Sequence, residues 1–332
     1  MTAVLGATAC QQSSSSQQSS SSLTESASEV RLGYFPNLTH APALVGVERG
    51  TFAQRLGSTK LTSLPFNAGP EAVEALFADA LDMAYIGPSP SINAFVQSHG
   101  EAVRVVSGST SGGAFLVVHS GIDSVGDLRG KRVASPQLGG TQDVALRVWL
   151  KEQGVQTTTS GGGQVSVTPM ANADALTSFK EGQIAGAWVP EPWASRLIAE
   201  GDGKVLVNEA DLWPQGRYVT TQVLVRTAFL DKYPETVRAV LQGHLDALDF
   251  IAAQPAQAQI DTNNQIESIT SKRLPQSVIA SAWQNLQFTT DPIPSSLNKM
   301  AQEAQSLGLL KSSKLEGIYA LDILNQLEGN GK

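Results

Sequence analysis

The chain has one cysteine, Cys10, which excludes an internal disulfide and any thiolate metal cluster. Its four histidines, His40, His99, His119 and His244, show no HxxxH or HExxH spacing, so no metal site is expected. No run of Lys or Arg occurs, and 23 basic against 30 acidic residues leave a net charge of -7; nucleic acid is not expected as a partner. No stretch reaches the roughly 18 consecutive apolar residues that cross a bilayer. Neither GxSxG nor SxxK occurs in the context a hydrolase needs. The glycine-rich run at 160–163 follows no expected strand and opens no expected helix, so it reads as a surface turn and not a nucleotide loop. What is present, 332 residues with 41% apolar, 16% charged and 30 glycines, suffices for one large or two medium α/β domains.

Five segments share one layout: an apolar strand, a turn of Gly, Pro, Ser, Thr or Asn, then a helix start. They are GYFPNLTHAPAL (33–44), AYIGPSPSINAF (84–95), STSGGAFLVV (109–118, in reversed order), ASPQLGGTQDVALRVWL (134–150) and AWVPEPWASRL (187–197). The first N–H groups of a helix have no acceptor inside it, and together with the helix dipole they form a ready anion site. In open α/β sheets, ligands bind beyond the carboxyl ends of the strands. Several such ends facing one cleft would hold a small oxyanion without a metal, a cofactor or a catalytic triad.

Residues 1–10 read MTAVLGATAC, and Ser and Gln fill 11–22 before LTESAS. Such a stretch buries too little apolar surface to fold and reads as a tether. A small-residue run ending in Cys before a Ser-rich tether resembles a bacterial lipoprotein signal, with Cys10 as the lipidated residue. The basic start and long apolar core of such a signal are missing, and Ala7 stands where Leu is usual; the expectation is a true start upstream. The alternative is a cysteine without a role in a disordered tail.

From Glu29 on, strands are expected at 30–35, 60–66, 82–86, 103–107, 115–119, 132–134, 165–169, 186–189, 205–208 and 220–225, with helices at 71–80, 142–152, 173–180 and 193–200. The alternation points to βαβ units and mostly parallel sheets. No strand is expected after Val225, where helical patterns occupy 235–251, 276–286, 295–307 and 315–327.

The segments GYFPNLTHAPAL, ADALDMAYIGPSPSINAF, SGGAFLVV, DLRGKRVASPQLGGTQDVALRVWLKEQG and GAWVPEPWASRL, followed by YVTTQVLV and FLDKYPETVRAVLQGHLDA, resemble in this order the periplasmic solute-binding proteins of ABC importers for aliphatic sulfonates, taurine and nitrate. The resemblance runs from Val30 to the carboxyl end. It implies an α/β, two-lobed periplasmic binding protein fold (type II) with the ligand cleft between the lobes. Residues 1–28 would be the tether, 29–112 plus 220–332 lobe 1, and 113–219 lobe 2. It further implies a receptor that is not an enzyme and has no cofactor. Such a receptor is extracytoplasmic, either periplasmic or anchored to the membrane by lipid, and monomeric. It would capture a small organic anion, an aliphatic sulfonate foremost, for a membrane permease and its ATPase.

Asn37, Leu38, Thr39 and His40 follow the first strand, and Pro42 suits a first helical turn. Thr39 is either a cap or a hydroxyl donor to the ligand, whereas the His40 ring has no capping job and is a contact candidate. Gly87, Pro88 and Ser89 end the third strand; Gly87 admits close approach to the backbone, and Ser89 is either the cap of a helix with proline at its first position or a ligand contact through N–H and O–H. Ser111, Gly112, Gly113 and Ala114 form either a hinge whose N–H groups reach the ligand or an ordinary turn. Gly140, Thr141 and Gln142 open a helix with Val144, Ala145, Val148 and Trp149 on its apolar face. With Thr141 as cap, the amides of Gln142 and Asp143 point outward, and this is the first choice for the acidic head group. Asp143 itself balances the dipole. Trp188 is either core or the wall of a hydrocarbon slot. Glu191 would repel an anion; it binds a ligand amino group, latches the lobes or pairs with an arginine.

Two other classes remain. An enzyme on this scaffold would resemble the thiamine-pyrimidine synthases, but their Cys-rich iron motif is absent. Nitrate or bicarbonate is the alternative anionic ligand, and a binding protein for an uncharged or cationic pyrimidine or aromatic solute is kept open by Glu191 and the tryptophans.

Overall fold

The computed structural model describes residues 1–3 and 25–329; Cys10, with its expected lipid anchor and most of the tether, lies outside the described residues. The chain first lays down β1 (Glu29–Tyr34), β2 (Lys60–Pro65), β3 (Met83–Ile86) and β4 (Val103–Gly112). It then builds β5 (Ala114–His119), β6 (Arg132–Ser135), β7 (Ser166–Pro169), β8 (Gly186–Pro190) and β9 (Gly203–Asn208) before returning through β10 (Val219–Arg226) and a short β11 (Leu286–Phe288). The strands form two sheets, ordered β11-β4-β10-β3-β1-β2 and β7-β6-β8-β5-β9.

Each sheet is parallel on one side, through β1 with β2 and β3 and through β6 with β7 and β8. It is antiparallel around the strand that arrives from the other sheet: β10 runs against β3 and β4, and β5 against β8 and β9. The expectation of mostly parallel sheets is thus corrected. Only Gly113 separates β4 from β5, and only short 3-10 turns separate β9 from β10. Parallel pairing needs a crossover to bring the chain back, and these two strands have none.

The interior strands β3, β5 and β8 are nearly all apolar because both faces of each sheet are covered there. In the first sheet Val30, Leu32, Tyr34, Met83 and Tyr85 face Leu44, Phe52, Val237, Leu241, Ile266 and Ile279. Ala84, Ile86, Val103 and Val105 face Leu76, Ile92, Phe95, Leu297 and Met300. In the second sheet Leu116 and Val118 meet Leu146 and Leu150, while Val117 and Val189 meet Phe179 and Leu197. This period-two division packs the late helices Pro234–Ala253, Pro255–Thr270 and Gln276–Trp283 against the first sheet.

Three elements depart from expectation. The three-residue β11 is too short to show alternation; it forms because β4 offers a free edge to Leu286, Gln287 and Phe288. The helix Pro255–Thr270 buries Asp261, Thr262 and Asn263, so it lacks an apolar stripe. Asp261 pairs with Arg49, and Asn263 bonds both the N–H and the carbonyl of Leu274. The helix expected at 315–327 begins only at Asp322, because Ile318 and Ala320 instead exchange backbone bonds with Val105.

Candidate functional site

The carboxyl ends of the parallel strands of both sheets face one crevice of about 40 Å³. Phe35, Asn37, Thr39, His40, Asn67, Ala68, Gly69, Gly87, Pro90 and Thr220 line it from the first sheet's side. Pro136, Gln137, Gly140, Thr141, Gln142, Asn172 and Pro190 line it from the second. None of these described lining residues is Lys, Arg, Asp or Glu.

Four helices start at the crevice: Gly69–Phe77, Pro88–Gln97, Thr141–Glu152 and Asn172–Lys180. Their N-caps, Ala68, Gly87, Gly140 and Ala171, make no side-chain capping bond. Their first-turn amides therefore stay available to a guest, and each helix end presents about half a positive charge. The supply is uneven. Pro88 and Pro90 leave Ser89 as the sole N–H among the first three residues of their helix. Thr141, Gln142 and Asp143 bring three. That last helix is held by its buried Asp143, which accepts from Arg147 Nε at 2.9 Å, Ser135 Oγ at 2.7 Å and the Gly139 amide at 3.0 Å.

Among the described residues, His40 is the only titratable side chain lining the crevice, and burial pushes its pKa down to about 3. Its ring packs on Phe35 with centroids 4.4 Å apart, and Nδ1 accepts the Phe35 amide at 3.4 Å. A neutral imidazole accepting at Nδ1 carries its proton on Nε2. The site is therefore dipolar and not formally charged. Gln137 Oε1 and Asn172 Oδ1 are buried there without a protein partner, two acceptors that a guest or water must satisfy.

The two walls are held together by polar contacts between segments of the two sheets. The Leu38 amide donates to the Glu191 carbonyl at 3.1 Å, Asn285 Nδ2 to Glu191 Oε1 at 2.8 Å, and Trp193 Nε1 to Asn37 Oδ1 at 2.8 Å.

Asn37, Thr39, His40, Gly87, Gly140, Thr141 and Gln142 thus meet at one place. The helix cap is Gly140, not Thr141, which takes the first helical position and so has its hydroxyl free of capping. Leu38 is core. Pro88 and Ser89 lie beside the crevice without lining it, the Ser89 hydroxyl buried and unpartnered.

The other candidates lie elsewhere. Ser111, Gly112 and Gly113 line a separate cavity with Asn208 and Asn285. Their polar groups serve the chain crossing: Gly112 O accepts from Thr220 Oγ1, Gly113 O from the Glu191 amide, and the Ala114 amide donates to the Tyr218 hydroxyl. Trp188 is fully buried, its Nε1 on Glu209 Oε2 at 2.7 Å, so it walls no tail slot. Glu191 accepts from Ser195 and Asn285, a contact between segments of the two sheets; burial raises its pKa.

Asn67–Gly69 and Asn172 were not among the sequence candidates. Both sit in the same strand–turn–helix layout, at LPFNAGPEAVEAL and SVTPMANADAL, which recurs more often than the five segments chosen.

A family profile decides the relationship: the NMT1-like family matches residues 24–262. The chain belongs to the NMT1-like family. This NMT1-like protein is 30% identical over 214 residues to the taurine-binding periplasmic protein of Escherichia coli, a match covering 64% of each chain. The aligned part thus spans under two thirds of that relative's own length. Among solved structures, the alkanesulfonate-binding protein of Xanthomonas axonopodis pv. citri bound to MOPS is similar, with TM-score 0.72 and 21% identity, over 88% of this chain and 97% of that one. So is the periplasmic nitrate-binding protein of Synechocystis, with TM-score 0.76 and 15% identity, over 92% and 89%. These likenesses establish the fold as the two-lobed periplasmic binding-protein fold.

Proposed function

We propose that this NMT1-like protein is the extracytoplasmic solute receptor of an ABC importer, capturing a small organic oxyanion, an aliphatic sulfonate first, for a membrane permease and its ATPase. The observation that carries this reading is the meeting of four uncapped helix starts, from both sheets, at a crevice with no formal charge. A permanently ionised, weakly basic head group suits such a site, because several modest N–H and O–H bonds replace its hydration. A dianionic phosphate, whose desolvation is far costlier, would find no cation there. Residues 29–112 with 220–332, and 113–219, would move as two lobes that close over the ligand, acting as a monomer. The periplasmic location of the relatives and the lipidation of Cys10 extend the same reading; no helix among the described residues is long and apolar enough to cross a membrane.

A nitrate or bicarbonate reading has one observation in its favour, the small crevice. By the volume a water needs, about 40 Å³ holds roughly three waters. Calorimetric titration with methanesulfonate, taurine, nitrate, bicarbonate and phosphate tests both readings. A sulfonate should give saturable heat and a melting temperature that climbs with ligand concentration, with phosphate weakest. Nitrate alone would favour the second reading, and no response to any anion would overturn both.

A further inference from the structure

Glu209 is a buried carboxyl that the anion crevice does not use. It opens the 3-10 turn Glu209–Leu212 after β9 and is 1% exposed. Its Oε2 accepts from Trp188 Nε1 at 2.7 Å, while its buried Oε1 makes no hydrogen bond with the described residues. It lines a cavity of about 20 Å³ at a seam between the two halves of the molecule. Trp149 and Glu152 reach the cavity from the helix Thr141–Glu152, which packs on the second sheet. Lys299 and Glu303 reach it from the helix Pro294–Ser306, which packs on the first. Two lysines tie the seam. Lys299 Nζ lies 3.4 Å from the Leu212 carbonyl and 4.2 Å from the Trp213 ring centroid. Lys151 Nζ donates to the Ser306 carbonyl at 3.0 Å.

The charges around Glu209 do not balance. Among the described lining residues, Glu152, Glu209 and Glu303 share the one ammonium of Lys299, which Glu303 already holds at 3.3 Å. Tyr218, stacked on Trp213, is buried with its pKa pushed well up, so it stays neutral. β5 and β9, the strands packed on the turn, bring Phe115 and Asn208 to this end and carry His119 and Lys204 at the other. Burial pushes the Glu209 pKa up to about 7; the Trp188 N–H opposes this, the Glu303 carboxylate reinforces it, and Trp213 and Lys299 oppose it more weakly.

We propose that Glu209 is a proton switch for the closure of the two lobes: the packed seam holds it as the neutral acid, and its ionisation drives the turn and the helix Pro294–Ser306 apart. The switch needs the two halves to move as the receptor reading above has them, but no particular ligand. A protonated Oε1 is a donor, and the cavity has room for about one water to accept from it. Loss of the proton leaves a carboxylate with one hydrogen bond beside Glu303, a charge that is costly to bury without partners. Opening the seam lets water reach it and offsets that cost. The packed form keeps the proton up to about pH 7, whereas a solvated glutamate keeps it only to about pH 4.5. The seam is therefore favoured fully below about pH 4.5 and loses that support as pH rises to about 7, beyond which both forms are ionised and the bias is constant. The helix bordering Glu209 presents Thr141 and Gln142 to the crevice from its other end. In a receptor, that means an affinity for the solute that falls from mildly acid to neutral pH.

The experiment uses the ligand-free full chain between about pH 5 and 8. Trp188 donates to the carboxyl, so tryptophan emission reports its ionisation, and small-angle scattering reports the opening. Emission should step with a midpoint at or below about pH 7, and the radius of gyration should grow through the same step. Glu209→Gln keeps the shape and cannot ionise; it should remove both changes. Two neighbours, Lys299 and Glu303, keep the test open should that variant not fold. Glu303→Gln should move the midpoint down and Lys299→Gln should move it up, each by roughly half a pH unit. Flat emission, a step that survives Glu209→Gln, or a midpoint indifferent to both neighbours would overturn Glu209 as the titrating group. An emission step at constant radius of gyration would overturn its coupling to closure. Each of these failures leaves the receptor reading standing, because that reading is tested by anion titration.

Discussion

Gly87 offers the sharpest test of closure. Its φ of -69° is one that any residue adopts, so substitution brings no backbone strain. A Cβ built on it would fall well inside 3.0 Å of Thr141 Oγ1, a distance real Cβ atoms essentially never show. The next atoms are the Thr141 Cβ at 3.5 Å and the Thr220 carbonyl at 3.7 Å, both ordinary contacts. The whole obstruction is therefore one hydroxyl on the opposite wall. Overpacking of this kind costs about 1–3 kcal/mol, so Gly87→Ala should weaken ligand binding roughly 5- to 150-fold while leaving the ligand-free melting temperature unchanged. Thr141→Ala removes the obstructing atom and its hydrogen bond, at a loss of about 0.5–1.5 kcal/mol. In calorimetry the double variant should bind no more weakly than Thr141→Ala alone, within about 0.5 kcal/mol. Additive losses in the double variant, or undiminished binding by Gly87→Ala, would refute a closed state in which these two residues touch.

Other expectations follow from the same geometry. Thr141→Val keeps the shape and deletes the hydroxyl; because Gly140 and not Thr141 is the cap, binding should weaken by about 0.5–1.5 kcal/mol with no change in thermal unfolding, and a loss of stability without a loss of affinity would contradict this. Burial lowers the pKa of His40 to about 3 and of His244 to about 4, from an ordinary 6.5. The unfolded chain takes up protons below about pH 6.5 that the folded chain refuses, so stability is full above that value and falls on acidification toward about pH 4. The slope should be roughly 1 kcal/mol per histidine per pH unit; buried Glu209, its pKa raised to about 7, acts with the opposite sign over the same range, so the test uses Glu209→Gln, in which denaturant melts that stay flat from neutral pH to about pH 5 would exclude it. Arg147→Met strands the buried Asp143 carboxylate and should cost about 3–5 kcal/mol in urea unfolding, whereas a loss under about 1 kcal/mol would mean the pair does not anchor the helix start.

Much of this architecture was legible because strands covered on both faces read as unbroken apolar runs, as in AFLVVH of β5, and because glycine and proline mark their ends. The inner crevice was legible for the same reason: a strand–turn–helix junction places amides at a carboxyl edge wherever it occurs. What sequence could not rank was which junctions share the edge. GlySerThrSerGly of β4 looks like a binding loop, yet the chain crosses there: its backbone pairs with β10 and β11, Gly112 O accepts from Thr220 Oγ1 and Ser111 Oγ accepts the Tyr218 amide. Trp188 and Trp193 look alike in AWVPEPW, but Trp188 stands on a strand buried on both faces and so lies in the core, while Trp193 opens a helix and stays half-buried. The polar helix Pro255–Thr270 stayed hidden because its buried face mixes Ala258 and Ile266 with Asp261, Thr262 and Asn263, the polar ones satisfied by Arg49, the Ala258 carbonyl and Leu274.

The most direct test is a crystal structure of the protein soaked with a sulfonate. Sulfonate oxygens should lie about 2.7–3.2 Å from the amides of Thr141 and Gln142, between the two walls and away from any lysine or arginine. A head group seated on a cationic side chain, or outside the space bounded by Gly87 and Thr141, would contradict capture by uncharged helix starts.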